Sequence, residues 1–335
     1  MSEPADPVEG AVTSPPVEGV RELLAEALGE DPGAIGLTPI PGGASRETWL
    51  VRGERGHWVL RRDPEGSVSL VPIRDEFALI TRAREAGVPV PEPLALEHAG
   101  GRLGTAGMLM SFAEGTSVAP RILRKPAFET ARSCLTPQLG EALARVHSID
   151  TEDLVGVLPG AGIDPALEEI AEWERQLDEI GEALPAAELG LRWLRANAPD
   201  PAEPHLVHGD FRLGNFIVNE KGLTAVIDWE LSHLGDPAED IGWLCIRSWR
   251  FGNDDRPVAG VGSLDEFVSA YESAGGARVD RDRVRYWEVF GNVKWAVICA
   301  RQAHDHLTGR RRSHELAALG RRICEPEWDM LELIS

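Results

Sequence analysis

The chain has 335 residues, enough for two domains or one large two-lobed enzyme, and its 43% hydrophobic and 27% charged content is ordinary for a globular protein. A net charge of −21 speaks against nucleic acid or an anionic membrane as partner, because phosphate groups call for a basic face. No long apolar stretch predicts a membrane span, and four scattered cysteines without a C-x-x-C pair point to reduced thiols in a cytoplasmic setting.

Residues 1–17 are acidic and Pro-rich, without a basic or apolar signal region, and read as a disordered leader. Val20, Leu23, Leu24 and Leu28 recur at helical spacing and predict a helix over Val17–Leu28, stopped by Gly29. The apolar runs Glu47–Arg52 and His57–Arg61 flank a Gly-containing turn, as in an antiparallel hairpin, and Pro41-Gly42-Gly43-Ala44-Ser45 precedes them. Asp75–Ala86 predicts a helix ended by Gly87. A Pro-stiffened connector, Val88–Pro93, leads to a second strand pair at Leu94–His98 and Ala106–Ser111. Beyond Glu114-Gly115 the period becomes helical, most clearly over Pro137–His147, Asp164–Ile180 and Ala187–Ala196. Short strands are expected at Leu206-Val207, Phe216–Asn219 and Thr224–Ile227, then helices at Leu264–Ala274, Arg283–Leu307 and Arg312–Cys324. A strand-rich first third and a helix-rich remainder predict an α+β fold of two unequal lobes. Residues 18–112 would form a small antiparallel-sheet lobe and residues 113–335 a larger, mostly helical one, with a hinge near Ser111–Gly115.

The strand island between the helices concentrates the polar residues. Leu206-Val207 leads into His208-Gly209-Asp210-Phe211-Arg212-Leu213-Gly214-Asn215, and the strand Thr224–Ile227 runs out into Asp228-Trp229-Glu230. Two carboxylates and an amide thus emerge from strand ends. Phosphoryl transfer needs such a kit: a carboxylate to orient and deprotonate a hydroxyl, and hard oxygen ligands for Mg²⁺. An isolated D-x-x-x-x-N is more often a polar turn, since Asx residues favour turns. The bracketing apolar strands and Asp228 at the end of the following strand tell against that here.

The H-G-D-x-x-x-x-N stretch, followed by I-D-W-E and Gly-Asp-Pro-Ala-Glu-Asp240, resembles the aminoglycoside phosphotransferase family of the protein-kinase-like superfamily. Within it, F-R-L-G-N and D-W-E-L-S-H-L-G-D-P most resemble kinase-like proteins related to domains fused to acyl-CoA dehydrogenases. The resemblance covers about residues 35–325. It implies a protein-kinase-like two-lobed fold and use of ATP with Mg²⁺. Asp210 would be the catalytic base, Arg212 would face the γ-phosphate, and Asn215 and Asp228 would hold metal. His208 would pack the catalytic loop and Asp240 would anchor it. In the first lobe Gly43 and Ser45 would cover the phosphates. No lysine precedes Lys125, so Arg61 would take the place of the usual nucleotide-holding lysine, paired with Glu76. Ser111 and Phe112 would meet the adenine edge.

The acceptor is expected to be a hydroxylated small molecule, with a hydroxyacyl-CoA, an amino sugar or an antibiotic as candidates. The missing lysine leaves a weak or inactive nucleotide-binding protein as the alternative. A short connection from Asp228 to Gly235-Asp236-Pro237, with no A-P-E, argues against a protein kinase. His304-Asp305-His306 diverge on a helix and read as a helix end rather than a metal site, and Arg310–Arg312 read as a solvated surface.

Overall fold

The computed structural model describes residues 14–40, 46–64, 71–160, 162 and 164–335. Backbone contacts divide them into two units, one holding the residues up to Phe77 with Glu92–Phe112, the other Ala78–Pro91 with Ala113–Ser335.

The first unit contains α1 (Val17–Leu28), β1 (Ile35–Pro39), β2 (Glu47–Gly53), β3 (Gly56–Arg62), the start of α2 (Ile73–Glu85), β4 (Pro93–Glu97) and β5 (Gly107–Ser111). The strands form one sheet in the order β1-β2-β3-β5-β4, antiparallel at every pairing. β2 and β3 are the expected hairpin, with Gly53 opposite Gly56 across the two-residue turn. β1 lies at an edge, where Pro39 breaks no inner ladder. Alternate residues Trp49 and Val51 of β2, Trp58 and Leu60 of β3, and Leu109 of β5 form one core with Val20, Leu23 and Leu24 of α1.

Gly19 lets α1 lie directly on the main chain of Arg102, since a Cβ there would stand 2.2 Å from the Arg102 carbonyl oxygen. In an open helix Gly→Ala gains about 1 kcal/mol. Gly19→Ala is instead expected to cost about 1–3 kcal/mol by overpacking, read as a lower urea midpoint.

The second unit continues with α3 (Ala119–Arg124), α4 (Glu129–His147), α5 (Pro165–Ile180), α6 (Pro185–Ala196), β6 (His205–Val207), β7 (Phe216–Asn219), β8 (Gly222–Val226), β9 (His233–Gly235), α7 (Ala238–Cys245), α8 (Leu264–Ser273), α9 (Arg281–Leu307), α10 (His314–Leu319) and α11 (Cys324–Ile334). Trp287, Phe290, Val293 and Val297 of α9 pack with Ile170, Trp173 and Leu177 of α5, Leu191 and Leu194 of α6, and Met330 of α11. Asp164 and Asp280 cap α5 and α9 by accepting backbone N–H groups of their first turns. Among the described residues no helix is long and apolar enough to cross a membrane, and the four cysteines are free.

Three expectations are corrected. α4 starts at Glu129, eight residues before Pro137, because Ala131, Leu135 and Thr136 are buried and packing holds the helix together around the proline. The helix expected over Arg312–Cys324 is two: Ser313 caps α10, and the chain turns at Gly320, where a Cβ would stand 2.7 Å from Ala303 Cβ. The strand expected at Leu206-Val207 begins at His205 and pairs with β9, Leu206 opposite Leu234.

The β9–α7 corner is held by charge. His233 has its Nδ1 3.0 Å from Leu231 O and its Nε2 3.0 Å from Glu239 Oε2, which only the doubly protonated ring satisfies. Burial alone would lower its pKa, but the Glu239 and Glu169 carboxylates outweigh that and push it up to about 10. A raised pKa means that the folded state keeps a proton the unfolded chain loses. The contribution is full below pH 6.5 and is lost as pH rises from 6.5 towards 10, at no more than ~1.4 kcal/mol per pH unit. Denaturant midpoints at pH 6, 8 and 10 should fall more steeply for the native chain than for His233→Gln.

Candidate active site

β6 delivers the chain to His208, and the loop to Asn215 is shaped by two glycines, Gly209 at φ 77° and Gly214 at φ 123°. A Cβ on Gly214 would stand 2.4 Å from Arg212 Nη1, so the glycine makes room for that guanidinium. Asp240, fully buried in the first turn of α7, takes the loop by its main chain. Its Oδ2 accepts from His208 N at 2.7 Å and its Oδ1 from Gly209 N at 3.0 Å. His147 Nε2 lies 3.2 Å from the same carboxylate, and its Nδ1 lies 2.8 Å from the Tyr271 hydroxyl. Burial favours the neutral acid, but the hydrogen bond and charge of His147, with the His208 N–H, hold the Asp240 carboxyl below the usual range.

Asp210 is 8% exposed. Its Oδ1 accepts from Trp243 Nε1 at 2.9 Å and Arg212 Nε at 2.8 Å, and its Oδ2 from Asn215 Nδ2 at 2.5 Å. Three donors from three side chains therefore fix one carboxylate. The Arg212 guanidinium also lies over the Trp249 ring, 4.4 Å from its centroid. Asn215 is held at the main chain too: its carbonyl accepts from Ile227 N at 2.9 Å, which ties the loop to the residue before Asp228. Asp228 has φ 72°, a left-handed conformation that side chains seldom adopt, at the point where β8 has ended.

His208 is sealed between Trp229 and Phe211, with ring centroids 4.7 and 5.9 Å away, and its Nδ1 accepts from Asp210 N at 3.2 Å. Burial lowers its pKa despite the surrounding carboxylates, and the ring packs against Trp229 and Phe211.

In the first unit Arg61 and Glu76 form the expected ion pair. The fully buried Arg46 side chain binds Glu76 as well, donates to Val71 O at 2.6 Å and pairs with Asp63 at 2.9 Å. The second guanidinium on Glu76 was not anticipated. Gly43 and Ser45 lie outside the described residues. The Ser111 N–H is committed to Glu92 O and its hydroxyl accepts from Glu92 N, both at 2.8 Å, while Phe112 is 39% exposed and edge-on to His57.

Trp243 and Trp249 also escaped the sequence reading. Trp243 lies one helical turn after Asp240, so the two share a face of α7, and that spacing was the available signal. Trp249 follows in a short 3₁₀ turn and carries no periodicity.

A family model described as a phosphotransferase enzyme family (APH) matches residues 36–287. The chain is 30% identical over 272 residues to acyl-CoA dehydrogenase family member 10 of Mus musculus, covering 76% of this chain and 25% of that protein. It is 28% identical over 332 residues to acyl-CoA dehydrogenase family member 11 of Gallus gallus, covering 90% of this chain and 41% of that protein. The chain therefore spans only a quarter to about two fifths of these relatives. Among solved structures, a Ralstonia eutropha protein assigned to the aminoglycoside phosphotransferases superposes with a TM-score of 0.74 at 24% identity, covering 94% of this chain and 98% of that one. A Plasmodium vivax ethanolamine kinase gives 0.59 at 14% identity, covering 89% and 83%. A spectinomycin phosphotransferase, solved with ADP and spectinomycin, gives 0.61 at 14% identity, covering 93% and 98%. The fold is a kinase-like, two-lobed α+β fold.

Proposed function

The chain belongs to this phosphotransferase family, and on that premise we propose that it moves the γ-phosphoryl group of ATP to a hydroxyl of a small molecule, with Asp210 as the base. The observation that carries the reading is the Asp210 carboxylate, held by Trp243, Arg212 and Asn215 in a loop whose main chain is gripped by Asp240. A carboxylate so fixed can align an acceptor hydroxyl and take its proton as the phosphoryl bond forms. Arg212, now paired with Asp210, is the cation nearest the base and is suited to meet the charge of the transferred group.

Asn215 and Asp228 would hold Mg²⁺. One supplies an amide oxygen and one a carboxylate, the hard donors that ion takes, and the Ile227–Asn215 hydrogen bond joins their two segments. When bound, the ion neutralises charge on the phosphate oxygens. In the first unit Arg61, oriented by Glu76, would bind phosphate oxygens in place of a lysine, while Gly43 and Ser45 would cover them. Ser111 and Phe112 would border the adenine.

The acceptor class to test first is a hydroxyacyl-CoA, because the curated relatives are acyl-CoA dehydrogenase family members. Amino sugars, ethanolamine-like alcohols and antibiotics follow, from the proteins that share the fold. The two arginines on Glu76 favour a second reading, a protein that binds nucleotide and turns it over feebly. One experiment separates them. The purified chain should release ADP from ATP in a Mg²⁺-dependent manner and faster with the right acceptor, and Asp228→Ala should reduce the rate about 10²-fold or more. Nucleotide binding without any such release would leave the second reading.

A further inference from the structure

Behind the loop lies a set of buried charges for which the proposed chemistry has no use. Lys294 of α9, 3% exposed, donates from Nζ to the Gly209 carbonyl at 2.9 Å and to Glu239 Oε1 at 3.2 Å. His233 Nε2 lies 3.0 Å from Glu239 Oε2 and 3.8 Å from Glu169 Oε1. The ligand atoms of Glu169, His233 and Glu239 fall within 4.8 Å of one another, a spacing that suits a metal ion. Yet both ring nitrogens of His233 are already engaged, Nδ1 with Leu231 O at 3.0 Å and Nε2 with Glu239. Lys294 and His233 both pair with Glu239, and His233 also faces Glu169, so the cluster satisfies itself from within.

Stability alone accounts poorly for such a network. Buried ion pairs can be exchanged for apolar residues of similar volume at little or no loss. The choice of residue is also uncommon for this chain: of 34 basic residues only Lys125, Lys221 and Lys294 are lysines, and of these Lys294 alone is buried. An ammonium is compact and carries three donors on one atom, so it reaches a carbonyl and a carboxylate together where a planar guanidinium fits less well. The Trp243 ring, whose Nε1 holds Asp210, is 4.9 Å from Nζ.

The position of the carbonyl matters. Gly209 immediately precedes Asp210, and a Cβ there would stand 2.2 Å from Leu231 O, so its peptide is tightly enclosed. Asp240 draws on the N–H groups of His208 and Gly209 while Lys294 draws on the carbonyl of Gly209. Consecutive residues of α7 thus hold opposite polarities of the same backbone segment, Asp240 directly and Glu239 through Lys294. We infer that Lys294 is a positioning residue for phosphoryl transfer, clamping the Gly209 carbonyl so that Asp210 presents its carboxylate in one fixed orientation. The inference rests on the reading of Asp210 as the base.

The test uses the whole purified chain, with MgATP as the probe and water as acceptor, and compares the native protein with Lys294→Met, Lys294→Arg and the double variant Glu239→Gln/Lys294→Met. The double variant removes the carboxylate that Lys294→Met would strand, and serves if the single variant fails to fold. Amide hydrogen exchange over residues 206–216 should quicken about tenfold in the methionine variants, with protection elsewhere unchanged. The kcat for ADP release should fall about 10- to 100-fold with KM for ATP within about twofold, and Lys294→Arg should recover part of the loss. Unaltered exchange, or quickened exchange with kcat preserved, overturns the inference, as does an equal rise in KM. Absence of ADP release from the native chain would overturn the functional reading itself, a result distinct from a loss confined to the variants.

Discussion

Asp210→Asn is expected to lower the rate of phosphoryl transfer about 10³-fold while nucleotide affinity changes by less than about threefold. The substitution keeps the shape of the side chain and removes the proton acceptor. It also turns an NH₂ group towards donors, because Trp243 Nε1, Arg212 Nε and Asn215 Nδ2 all point at the two carboxylate oxygens. One of those donors must lose its acceptor, which adds about 1–3 kcal/mol of destabilisation. Single-turnover ADP release and calorimetric titration with nucleotide measure the two halves of the expectation. A variant that turns over at the native rate would remove Asp210 from the role of base.

Asp240→Ala should have the largest effect on stability, about 3–5 kcal/mol, because it strips a fully buried carboxylate from three donors at once. The N–H groups of His208 and Gly209 would be left without their acceptor, and His147 would keep only the Tyr271 hydroxyl. Asp240→Asn should do less harm, since its one amide oxygen can still serve one backbone N–H. Urea denaturation of the three proteins, with transfer rates on the folded fractions, separates loss of the fold from loss of the loop. Equal stability of the alanine variant and the native chain would show that α7 does not hold the loop through this carboxylate.

The parts of the molecule read correctly from sequence are those whose signal is local. Val20, Leu23 and Leu24 carry their helical period within one turn, and the β2–β3 hairpin declares itself by alternation around a short glycine-flanked turn. Asp210 and Asn215 belong to one eight-residue stretch, so their proximity was legible as well. What was missed depends on distant packing. β9 has only three residues and exists because β6 pairs with it, and no three-residue pattern encodes that. Arg46 meets Glu76 across thirty positions, and Trp243 meets Asp210 across thirty-three. The scarcity of lysine bears on more than the third strand, where none is present. The same fact marked Lys294 as a residue kept where arginine is the rule.

The seating of Arg212 on Trp249 gives the site an optical consequence. Trp249 lies tilted against Trp295 with ring centroids 4.8 Å apart and meets Trp243 edge-on at 5.2 Å, so three of the ten indoles in the chain form one contiguous group beside the base. A phosphate that draws Arg212 away from Asp210 must also lift the guanidinium off the Trp249 ring. The emission of that trio would change in the same event, so intrinsic fluorescence offers a label-free signal of when the arginine leaves its resting place.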